Sequence, residues 1–186
     1  MSIISELREA QRLAQARRQP NLPLTAFPVR DLLAEIQLAH FADEPRTINV
    51  WFIARGSLAS VAYDDQAAHV YMHQVLNHPG TPAEVFRLVF CHELLHLRIE
   101  PAEIDGQRVQ HPPAFWQAER QLCPQRTAAW CWIWHNLGDC LRQRPKLQRI
   151  DVLPSWRTVW SRARIDLATC LELADARLAD VEQHGW

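Results

Sequence analysis

His92-Glu93-Leu94-Leu95-His96 gathers, in one short stretch, the side chains that hydrolytic metal chemistry uses. A helix places positions i and i+4 on one face, so His92 and His96 can share a single ion. Glu93 sits beside the first imidazole and is not needed as a ligand. It can instead hold the attacking water and take its proton as general base. The pattern is that of a zinc-dependent hydrolase.

Catalytic zinc takes three protein ligands and keeps a fourth position open for water, so a third ligand must come from elsewhere in the chain. His111 is preferred, because Pro112-Pro113-Ala114-Phe115-Trp116 follows it and predicts a new helix with proline in its first turn. Glu100, Glu103 and Glu119 are the alternatives, since some zinc peptidases use a glutamate there. Residues 99–110 contain Pro101 and Gly106 and read as a loop that returns the chain towards the metal.

The elements that must position these groups are legible upstream. Thr81-Pro82-Ala83-Glu84 has the form of a capping box and predicts the start of the metal helix. Phe86, Leu88, Val89, Phe90, Leu94, Leu95 and Leu97 then surround most of that helix, as expected for an element at the centre of a domain. Residues 29–41 predict a preceding helix, and 47–53, 58–63 and 68–76 predict strands rich in β-branched and aromatic residues. The expected fold is α+β, with a small three-stranded sheet, mixed or not, packed on the central HExxH helix. Strand 68–76 is the candidate edge strand for binding a substrate backbone by strand addition. Tyr71 and His73, on one face of it with His69, are candidate donors to an oxyanion.

The pair of motifs, His92-Glu93-Leu94-Leu95-His96 and then His111 with an aromatic residue, Phe115, four positions later, resembles the SprT-like zinc metallopeptidase domain. The resemblance covers roughly residues 28–122. It implies a compact gluzincin-type fold, zinc held by His92, His96 and His111, and proteolysis with Glu93 as the base. It also implies that the substrate is a protein or peptide, in some members one attached to DNA. The cysteine-rich zinc ribbon that follows the domain in some members is absent.

Around that domain the chain divides into a helical extension over 1–27 and a Trp-rich helical extension over 123–186 that packs on the same domain. Residues 3–18 place Ile3, Leu7, Ala10 and Ala14 on one helical stripe. Trp130, Trp134, Leu137 and Leu141 lie at helical spacing, and Trp156, Trp160, Ala163, Leu167, Cys170, Ala174, Leu178 and Val181 predict a long C-terminal helix. Between them runs a basic segment. Arg142, Arg144, Lys146, Arg149 and Arg157, with Trp156 and Trp160, form a candidate DNA contact, set against a solvated charged face as the simpler explanation.

Composition limits the other classes. With 186 residues, 48% of them hydrophobic and 22% charged, the chain can bury a substantial core. Its formal net charge of −1 is unlike that of a nucleic-acid-binding domain as a whole. Five cysteines without a CxxC pair read as reduced thiols. Phosphate-binding glycine loops and a GxSxG nucleophile elbow are missing. No secretory signal or membrane span is recognisable, and a cytoplasmic location is expected. Two functions from different classes follow. The preferred one is a zinc metallopeptidase; the other is a non-proteolytic interaction module, with hydrolysis of a non-peptide bond as a related enzymatic variant.

Overall fold

A computed structural model describes residues 28–173. The predicted helix 3–18 and the end of the C-terminal stripe, from Ala174 to Val181, lie outside the described residues.

The fold is α+β. Helix α1 (Val29–His40) buries Val29, Leu32, Leu33 and Ile36, the i, i+3, i+4, i+7 stripe of an amphipathic helix. Strands β1 (Thr47–Ile53), β3 (Ala59–Tyr63) and β4 (Ala67–His73) form a three-stranded mixed sheet in the order β1-β4-β3. β1 runs parallel to β4 with Val50 opposite Val70, and β3 runs antiparallel to it with Val61 opposite Val70. The residues alternate as strand geometry requires. Val70 and Met72 enter the main core, while Tyr71 packs with Ile53 in a smaller cluster on the other side.

Between β1 and β3 the short strand β2 (Gly56–Ser57) belongs to a second sheet. It pairs with β8 (Arg149–Val152), which forms a hairpin with β7 (Leu141–Arg144). Leu58 joins the two sheets: its amide donates to Ile150 and its carbonyl accepts from His73. The hairpin between residues 141 and 152 was not expected. Leu141, which the helical spacing assigned to a helix, lies on β7.

The metal-motif helix α2 runs from Ala83 to Leu95. Ten of its residues are buried, and Val85, Phe86, Leu88, Phe90 and Leu94 share the main core with Leu58, Val70 and Met72. The expected capping box does not form. Pro82, at φ −66° and ψ 153°, is the residue that precedes the helix, and proline has no side-chain acceptor to offer, so Thr81 lies one position too early.

Residues 99–110, expected to be a loop, contain a hairpin of β5 (Ala102–Ile104) and β6 (Gln107–Val109). Asp105 and Gly106 turn it with φ values of 52° and 72°, the double left-handed conformation of a tight hairpin turn. Helix α3 (Pro113–Leu122) follows with proline in its first turn, as predicted, and then α4 (Arg126–Leu137). Within the described residues the predicted long C-terminal helix is interrupted, with α5 (Trp156–Trp160) and α6 (Leu167–Glu172) as separate helices. Asp166 caps the second by accepting from the Thr169 amide, which fixes a new start where a continuous helix was expected. Trp132, Ile133, Leu137, Trp156, Val159 and Cys170 nevertheless share the main core with α2. No helix among the described residues is long and apolar enough to cross a membrane.

Candidate metal centre

Three of the sequence-predicted residues meet. His92 projects from the last turn of α2, His96 from the residue that caps its end, and His111 arrives from the bend just before α3. One ligand atom from each can be chosen so that all lie within 4.8 Å of one another, so the group could hold a metal ion. The Nε2 atoms of His96 and His111 are 3.1 Å apart. His96 directly follows α2 but keeps helical torsions, φ −63° and ψ −16°, so the one-turn spacing from His92 survives at the helix end.

Aromatic packing sets the ring planes. The Phe115 ring centroid lies 5.0, 4.7 and 4.7 Å from those of His92, His96 and His111, and Phe115 is fully buried. Trp116 adds a second wall, 4.9 Å from His111.

Burial and proximity favour the neutral form of His96 and His111. Burial, then the neighbouring His92, pushes His96 down to about 3. His111 is pushed down to about 2 by burial and then by His92 and His96. Each therefore offers a lone pair at neutral pH, the form a metal requires.

Behind His92 lies a group whose role the sequence did not reveal. His92 Nδ1 donates to Glu119 Oε1 at 2.7 Å, and Arg126 donates to the other oxygen of the same carboxylate. Glu119 is 0% exposed and Arg126 is 3% exposed. An ionised carboxylate only accepts, so the proton of His92 sits on Nδ1 and the lone pair on Nε2. Glu119, an alternative third ligand from sequence, thus stands behind His92. Glu100 and Glu103 do not join the histidine cluster.

Glu93 is buried and lines a cleft of about 370 Å³ together with His92, His96 and His111. Among the described residues it is the one carboxylate on that lining. Ala59, Ser60, Val61 and Tyr63 of β3 form part of the same wall. Among the strands β3 contributes most of the wall, with Ser57 of β2 and Arg149 and Ile150 of β8 beside it. β4, to which the substrate-binding edge was assigned, is hydrogen-bonded on both sides and has no edge to offer.

The candidate oxyanion donors on β4 lie elsewhere. Tyr71 and His73 are fully buried and absent from the cleft lining. His73 packs edge-on against Trp156 at 5.1 Å, and its Nδ1 accepts from the Val75 amide at 3.0 Å.

The basic segment is partly paired. Arg144 and Arg149 both bind Asp151, at 3.0 and 2.8 Å. Arg157 lies over the Trp156 ring, and that ring is buried, while Arg142 and Lys146 are exposed. Trp160 is 38% exposed and donates to the Asn77 carbonyl.

Set against models of protein families, curated proteins and solved structures, the chain matches none of them. The residues themselves therefore carry the functional argument.

Proposed function

We propose that the chain is a zinc-dependent metallopeptidase of the SprT-like type, acting on proteins or peptides. The observation that carries this reading is the convergence of His92, His96 and His111, with Glu93 in the same cleft. The donor set fits zinc. Tetrahedral bonds of 2.0–2.1 Å would put two ligand nitrogens about 3.3 Å apart, close to the 3.1 Å between His96 and His111. The His92–Glu119 hydrogen bond is the carboxylate support that zinc-binding histidines commonly have.

Bound there, zinc would polarise a substrate carbonyl and make water acidic enough to ionise near neutral pH. Glu93 then takes the proton of the attacking water and delivers it to the departing amine. Its burial keeps the carboxylate in a cleft where its interactions are less damped by solvent. The outer edge of β3 suits an extended peptide, which would add a strand through main-chain hydrogen bonds and so demand little of its side chains.

The test is cleavage of an unfolded protein by zinc-loaded Glu93→Gln. The variant should keep its zinc and lose roughly 10²- to 10⁴-fold in kcat, with wild-type activity abolished by a chelator. Activity that survives both treatments would contradict the proposal.

A further inference from the structure

The stretch that carries His111 has little backbone with which to hold itself. β6 ends at Val109 and α3 begins at Pro113. Pro112 and Pro113 have no N–H, so the amides available between these elements are those of Gln110 and His111. Both donate to the same atom, Gln148 Oε1, at 2.9 and 3.1 Å.

Gln148 reaches them from a distant part of the chain. It sits at the tip of the β7–β8 hairpin, just after the short turn of helix Pro145–Leu147. Its backbone is left-handed, φ 46° and ψ 49°, a conformation that residues other than glycine, asparagine and aspartate seldom adopt. Glycine would fit this backbone more readily but would bring no acceptor. Such a conformation persists where the surroundings fix it, and here the side chain reaches from the β7–β8 hairpin to the main chain at Gln110 and His111. Gln148 and His111 also both line the cleft and a second cavity of about 340 Å³.

We propose that Gln148 is a positioning residue of the metal centre: through Oε1 it fixes the main chain at Gln110 and His111, so that the His111 imidazole meets those of His92 and His96. The proposal rests on the reading of His111 as the third ligand. It makes the β7–β8 hairpin a working part of the centre although the hairpin supplies no ligand. Leu147 and Arg149, on either side of Gln148, wall the same cleft, so the tip that holds His111 also borders the substrate space.

Gln148→Ala, Gln148→Gly and Gln148→Glu separate the side chain from the backbone. Glutamate has nearly the same shape, and its carboxylate accepts both N–H bonds. In the metal-free protein, residue-resolved amide exchange should quicken at Gln110 and His111 in the Ala and Gly variants and stay slow in the Glu variant. Zinc affinity, from competition with a chelator, should fall about 10- to 100-fold in the Ala and Gly variants and recover in the Glu variant. The visible spectrum of the Co²⁺-loaded protein should change in the first two and not in the third. Gly relieves the left-handed backbone, so recovery in the Gly variant would trace the effect to backbone strain and overturn the proposal. Unchanged zinc affinity in the Ala and Gly variants would overturn it while leaving the three-histidine site standing. Absence of zinc binding by the wild-type protein would remove that site and the proposal with it.

Discussion

The carboxylate of Glu119 stands 2.7 Å behind His92 Nδ1, so a residue on α3 decides which nitrogen of a histidine on α2 could bind a metal ion. The hydrogen bond fixes both the tautomer and the rotation of the ring. Glu119→Gln keeps the size of the side chain but replaces a pure acceptor with an amide that also donates. Zinc affinity, measured by chelator competition, should fall about 10- to 100-fold. An unchanged affinity would mean that Glu119 does not orient His92.

Arg126 is the ion-pair partner of Glu119 in a fully buried position. Arg126→Met should destabilise the metal-free protein by about 3–5 kcal/mol, because it strands a buried carboxylate. In the double variant Glu119→Gln/Arg126→Met the loss should be smaller than the sum of the two single losses, since the charge to be compensated has also gone. Urea unfolding of the four proteins measures this. Additive losses would show that the pair does not act as a unit.

Elements with strong local periodicity were legible in the sequence. α1 shows a clean i, i+3, i+4, i+7 stripe, and the three strands of the first sheet were foreseen close to their observed bounds because β-branched residues alternate along them. The one-turn spacing of His92 and His96 is a local property of a helix and was equally readable. What depended on distant pairing was not. Whether a strand is central or at an edge is set by its neighbours, and so β4 was mistaken for the edge that β3 provides. Glu119 could be recognised as a carboxylate near the centre but not as a partner of His92, 27 residues away. Two hairpins carry local signals weaker than those of the helices and the first sheet. Asp105-Gly106 is a favoured hairpin turn pair, and Ile150 and Val152 alternate with Arg149 and Asp151 on β8, an alternation masked by the positive charge of the segment. The turn at Gln148 gave none, since a glutamine in left-handed backbone has no sequence signature.

His73 should make the metal-free protein acid-sensitive. Its pKa is pushed down to about 4, mainly by burial and further by Arg157, against an opposing backbone hydrogen bond at Ala54. An unfolded histidine titrates near 6.5. Above that pH both states are neutral at His73 and it contributes nothing. Between about 6.5 and about 4 the unfolded chain binds a proton that the folded chain refuses, so stability falls as the pH falls, by at most about 3 kcal/mol from this residue. His73→Gln should flatten the fall in that window when unfolding is followed with chelator present. An identical pH profile in the two proteins would contradict the assignment.

Zinc titration of the metal-free protein bears most directly on the three-imidazole centre. The wild-type chain should take up a single ion with high affinity, and His92→Ala, His96→Ala and His111→Ala should each weaken that binding strongly while Glu93→Gln leaves it nearly unchanged. Failure of the wild-type chain to bind zinc, or binding that all three histidine variants retain, would contradict the account.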